Sequence, residues 1–126
     1  VSKIYKNNGN DSFEEQKDIH LMGLFKSSCA FGDYNNDNLL DVIITGRNSG
    51  NFTKIYKNNG DGTYSEQTNV FLSGGEDGKL NWGDYDNDGD ADLFLANLSR
   101  TNPLYRNDGD GTFIEVTRDS GIILDR

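Results

Sequence analysis

The sequence predicts an all-β fold of repeated four-stranded blades, and three observations carry that expectation. The run Lys3-Ile4-Tyr5-Lys6-Asn7-Asn8-Gly9 returns as Lys54-Ile55-Tyr56-Lys57-Asn58-Asn59-Gly60 about 51 residues later, and again in Leu104-Tyr105-Arg106-Asn107-Asp108-Gly109. A separate landmark, Ala30-Phe31-Gly32-Asp33-Tyr34, returns at the same spacing as Asn81-Trp82-Gly83-Asp84-Tyr85. The apolar runs between these landmarks are short, rich in β-branched and aromatic residues, and bounded by Asn, Asp and Gly. No window carries a helical apolar period long enough to compete. Four short strands in a period of about 50 residues match a propeller blade.

Each element follows in order. Residues 1–18 read as the outer hairpin of one blade, turning through Asn7-Asn8-Gly9-Asn10, with Phe13 as the aromatic after the turn. Residues 18–23 read as a crossing to the next blade. Residues 27–68 form the second blade. Its innermost strand is the short run Ser28 to Phe31, and an acidic loop follows. The run Asp41-Val42-Ile43-Ile44-Thr45 is then a strand buried on both faces, and the outer pair turns at Asn58-Asn59-Gly60-Asp61-Gly62. Residues 69–74 cross again, and residues 79–118 repeat the pattern as a third blade. Residues 119–126 begin a crossing to a further blade. About two and a half blades result, whereas propellers close with four to eight. The sequence thus reads as part of a larger propeller whose remaining blades come from a larger chain or from other subunits.

Composition excludes several classes of partner. The formal net charge is −9, which disfavours nucleic-acid backbones and anionic membranes. No run approaches the ~20 apolar residues of a membrane helix, so membrane insertion is not expected. The lone cysteine, Cys29, rules out an internal disulfide framework. On an inner strand it is expected to be a small buried residue. His20, the only histidine, stands in a crossing without zinc or catalytic partners nearby. Neither a phosphate loop nor a hydrolase elbow is present, and the chain is expected not to be an enzyme.

The chemistry concentrates in two loops, residues 33–41 and 84–92. Each places oxygen side chains at relative positions 1, 3, 5 and 9: Asp33, Asn35, Asp37 and Asp41, then Asp84, Asp86, Asp88 and Asp92. Oxygen donors this crowded repel one another unless a hard cation lies among them. Calcium accepts six to eight oxygens in flexible geometry and is the natural candidate. Gly89 suits a sharp turn at position 6, and Asn38, tolerant of the left-handed region, replaces it in the first loop. These are not EF-hands, because position 12 is Ile44 or Leu95 inside a strand instead of a bidentate Glu. With four carboxylates against three, the second loop is expected to bind more tightly. The loops are expected to act independently, one blade apart.

On Phe31-Gly32-Asp33, Trp82-Gly83-Asp84, their acidic loops and the run Leu104 to Phe113, the chain resembles the FG-GAP/VCBS family of calcium-loop β-propeller repeats, also found in integrin α-subunit heads. The resemblance covers nearly the whole chain. It implies about two calcium ions, with Leu39 and Asp90 adding main-chain carbonyls to the side-chain oxygens of Asp33, Asn35, Asp37 and Asp41, and of Asp84, Asp86, Asp88 and Asp92. It further implies a secreted or cell-surface protein that binds a protein or glycan ligand through the parent propeller. An accessory propeller of a carbohydrate-active enzyme and a purely structural segment are the alternatives. The sequons at Asn10, Asn51 and Asn97 matter only in a eukaryotic secretory setting.

Overall fold

The computed structural model describes residues 1–75, 77–98 and 101–121. Among them, three antiparallel sheets account for the named strands. Strand β1 (Tyr5–Asn7) pairs only with β2 (Phe13–Glu15). A second sheet runs β3 (Phe25–Gly32), β4 (Asp41–Arg47), β5 (Asn51–Asn58) and β6 (Tyr64–Glu66) in chain order. A third repeats it as β7 (Lys79–Gly83), β8 (Asp92–Ala96), β9 (Leu104–Asn107) and β10 (Phe113–Glu115). The all-β blade architecture expected from the sequence is present: two four-stranded meanders and an outer hairpin, arranged as an open partial propeller. Residues 122–126 of the crossing expected over residues 119–126, and residue 99 of one sequon, lie outside the described residues.

The second strand of each blade explains why its apolar run is continuous. Successive side chains of a strand point to opposite faces. On β4, Ile43 faces the third blade and packs with Ile55, Leu93, Leu95 and Tyr105 in one core cluster. Val42 and Ile44 face the other way and join Tyr56, with Ile4, Leu21 and Leu24 packed against them. A strand between two neighbours needs apolar residues at odd and even positions alike. Each outer hairpin turns where the pattern placed it. Gly9, Gly60 and Gly109 all adopt φ between 76° and 78°. In each, the amide donates to the side-chain oxygen of the Asn two residues earlier, at 2.8, 2.9 and 3.1 Å.

The crossings are tied down by tyrosines of the third strands. The Met22 amide donates to the Tyr56 hydroxyl at 3.0 Å, and the Ser73 amide to the Tyr105 hydroxyl at 2.8 Å. Close approach fixes two glycines. A Cβ on Gly74 would lie 2.1 Å from the Asn51 carbonyl oxygen, and one on Gly32 would meet the Trp82 ring at 2.7 Å. The second contact stacks the first strand of one blade on that of the next.

Burial departs from the sequence expectation on one side of the second blade. Cys29 and Phe31 are exposed, Phe31 by 52%, although their equivalents Leu80 and Trp82 are buried and half-buried. The buried position expected for Cys29 is therefore not found. The difference is the neighbour: β7 lies against β3, whereas among the described residues no first strand stands on the other side of β3.

Leu93→Ala, at a site with no solvent exposure, is expected to cost about 2–5 kcal/mol, the usual range for a core leucine. Phe31→Ala is expected to cost less than about 1 kcal/mol, because half its surface is already in water. Urea denaturation midpoints at constant m check both values.

Candidate metal centres

Both acidic loops fold around their first aspartate. In the first, Asp33 accepts the Asp37 amide at 3.1 Å through Oδ1 and the Asn38 amide at 2.8 Å through Oδ2. Asn35 Oδ1 accepts the same Asp37 amide at 3.3 Å, and Asp37 Oδ1 accepts the Leu39 amide at 3.0 Å. The second loop repeats this scheme: Asp84 accepts the Asp88 and Gly89 amides, both at 3.1 Å, and Asp88 accepts the Asp90 amide at 2.9 Å. Positive φ falls at matching places, Asn36 and Asn38 in one loop, Asn87 and Gly89 in the other. Asn38 adopts φ of 65°, so it does the work of the glycine it replaces.

The last aspartate of each loop is the structural anchor. Asp41 is 1% exposed, and its two oxygens accept the Tyr34 amide at 3.2 Å and the Asn58 amide at 2.7 Å. Asp92, equally buried, accepts the Tyr85 amide at 2.8 Å and the Asn107 amide at 2.9 Å. One carboxylate therefore joins the loop's start, the second strand and the end of the third.

Three carboxylates converge at each loop. Oxygens of Asp33, Asp37 and Asp41 lie within 4.8 Å of one another, as do oxygens of Asp84, Asp86 and Asp88. Asn35, Leu39 and Asp90 stand in the loops with the contacts given above. Asp92 makes the anchoring bonds of Asp41 but is not in the second group of three, where Asp86 takes part instead. The donor set is all oxygen and mainly carboxylate, which suits calcium and does not suit zinc or copper.

The electrostatics of the two loops differ. In the first, the Lys57 ammonium pairs with Asp37 and holds its carboxyl below the usual range. Burial pushes Asp41 up, against the pull of the amides it accepts. In the second, Arg106 occupies the position of Lys57 but turns to Asp108 at 2.8 Å. Asp86 is pushed up by desolvation and then by the charges of Asp88, Asp92 and Asp84. The second loop thus holds more repulsion that a cation would relieve.

Three participants were not read from the sequence. Lys57 carried a signal only in hindsight: it and Arg106 are cations at equivalent places in the outer hairpin. Asn107, 1% exposed, donates through Nδ2 to the carbonyls of Tyr34 at 2.6 Å and Ala91 at 3.0 Å. Asn36 donates to Asp90 Oδ1 at 2.6 Å. These bonds join the two loops directly, correcting the expectation that they are independent.

Asn107→Ala removes both bridging donors and leaves buried carbonyls unmatched, and is expected to cost about 2–4 kcal/mol. Asn58→Ala, whose Nδ2 bonds to the Leu40 carbonyl and the Tyr64 hydroxyl are longer and more exposed, is expected to cost about half as much or less. Chemical denaturation of both variants measures the difference.

A family model described as an FG-GAP-like repeat matches residues 33–95 and 84–124, well over half of the chain. Neither curated proteins nor solved structures give a match. The two matched stretches contain both acidic loops and every named strand from β4 to β10.

Proposed function

The chain belongs to the FG-GAP-like repeat family, and from that premise we propose that it is a calcium-stabilised, non-catalytic propeller segment of a secreted or cell-surface protein, acting in binding or adhesion. One observation carries the calcium reading: two loops at equivalent places in successive blades each gather three carboxylates within 4.8 Å. FG-GAP-like repeats are typically non-catalytic and occur in extracellular or surface proteins. Among the described residues, no helix is long and apolar enough to cross a membrane.

Asp33, Asn35, Asp37 and Asp41 hold the first ion with the Leu39 carbonyl. Asp84, Asp86 and Asp88 would hold the second, with the Asp90 carbonyl and Asp92, the anchor outside the group of three, completing the set that the repeat pattern implies. Bound calcium supplies charge compensation and oxygen coordination. The chain's own part is to present the oxygens: the loop amides orient Asp33 and Asp84, and the buried anchors fix the far end of each loop. Two ions bring the formal charge from −9 to about −5. The role is structural, because each loop joins the first strand of its blade to the second and so draws two strands together. The ligand, a protein or glycan, is met by the propeller of which these blades form part.

Calcium is expected to raise the melting temperature and EDTA to lower it, the stabilisation being about 2.7 kcal/mol per site when free calcium is about a hundredfold above Kd. A melt indifferent to both, with no calcium heat in calorimetry, would remove the calcium reading. Asp88→Ala is expected to abolish the tighter of two calorimetric sites. The looser site shifts as well, through the Asn36–Asp90 contact. Lys57→Gln frees Asp37 from its ammonium and is expected to tighten the looser site about threefold or more, read by the same titration.

A further inference from the structure

The outer hairpins of the two four-stranded blades share a backbone but not a charge pattern. Lys57 and Arg106 stand at one place in the repeat, two residues before Asn59 and Asp108. The turns match closely: Gly60 and Gly109 follow with φ of 78° and 76°. What differs is the residue offered to the cation. Asp108 takes the Arg106 guanidinium, its Oδ1 accepting from Nε at 2.9 Å and lying 2.8 Å from Nη2. Asn59 carries no charge, and its Nδ2 donates across the hairpin to the Thr63 and Ser65 hydroxyls at 2.9 and 2.8 Å. Ile114 takes the place of Ser65 in the next blade and offers no hydroxyl. With no carboxylate two residues on, Lys57 reaches out of its hairpin to Asp37 in the acidic loop. Arg106 has a similar reach, because Asp86 of the second loop attracts it, yet its ion pair is with Asp108.

We propose that the second residue of the outer turn, Asn59 or Asp108, sets the calcium affinity of the adjacent loop by choosing the partner of the hairpin cation. An aspartate keeps the cation on the hairpin and leaves the loop acids to the ion. An asparagine releases the cation to the loop, where it competes with the ion for one of the acids. Asn59 and Asp108 belong to neither acidic loop. Each is a positioning residue that acts through Lys57 or Arg106. The inference rests on the calcium reading of the loops and adds to it a determinant outside them.

Asn59→Asp is expected to move Lys57 off Asp37 and to tighten the looser calcium site about threefold in calorimetry. Asp108→Asn is expected to release Arg106 towards Asp86 and to loosen the tighter site by a similar factor. Both positions are exposed, and the same turn already holds either residue type, so the variants fold as the parent does. An added charge also attracts calcium from a distance, and a double-mutant cycle separates that effect from the choice of partner. In a Lys57→Gln background, the gain from Asn59→Asp is expected to shrink to less than half. A second arm needs no metal. In EDTA, the Lys57 ε-protons are expected to show NOEs to the Asp37 β-protons in the parent, and to the β-protons of position 59 in Asn59→Asp. A Lys57 that stays on Asp37 in that variant, or an equal gain in both backgrounds, overturns the proposal. Failure of the calcium reading looks different: the parent itself then gives no calcium heat, whereas failure of this inference leaves the parent's two sites intact.

Discussion

The blade depends on a buried carboxylate. Asp41 and Asp92 sit where the acidic loop meets the second strand, and each is 1% exposed. Burying an ionised carboxylate is costly unless its oxygens are matched. Each of these accepts two main-chain amides, one from the residue after the loop's first aspartate and one from the end of the third strand. The pairing sets the register of three strands at a single point. An amide in this position would match the first donor and oppose the second with its own N–H, so Asn is a poor substitute for Asp here. The acids of the loop tip are then free to serve another purpose, because the fold's register does not depend on them.

Stacking of blades is a second constraint, and the repeat makes it visible. Val42 and Leu93 occupy one place in the repeat, as do Phe31 and Trp82, and Tyr5 and Tyr56. Where a neighbour stands, as on the face shared by Ile43, Ile55, Leu93 and Leu95, the side chains are almost wholly buried. Where none stands, the same residue types remain in water, as Tyr5 and Phe31 do. The exposed large apolar residues are thus not scattered surface accidents. Several of them mark faces that the repeat elsewhere covers.

Much of this was legible in the sequence because it is local or periodic. The outer turns followed from Asn and Gly placement, the second strands from continuous apolar runs, and the loops from oxygen spacing. Asn38 in the left-handed region followed from the loop alignment alone. What was not legible depends on how blades lie against each other. Nothing near Lys57 in sequence says that its ammonium reaches Asp37, twenty residues away. Arg106, in the same place, turns to Asp108. The Asn36 to Asp90 bond spans 54 residues, and the exposure of Cys29 reflects a missing neighbour.

These contacts explain why two loops of nearly equal sequence need not bind a cation equally. In the first loop a lysine already meets one of the acids, so an arriving ion displaces a charge pair as well as water. In the second, desolvation and neighbouring acids press on Asp86, while Arg106, which attracts it, makes its ion pair with Asp108 instead. A cation there removes repulsion without breaking an ion pair. The Asn36 and Asn107 bonds then tie the order of one loop to that of the other. Asn107 touches the main chain of both loops and the anchor of the second. Ordering either loop fixes a shared partner, which lowers the entropy still to be lost by the other. Coupling between the sites follows from the stacking of blades, with no need for an ion to bridge them.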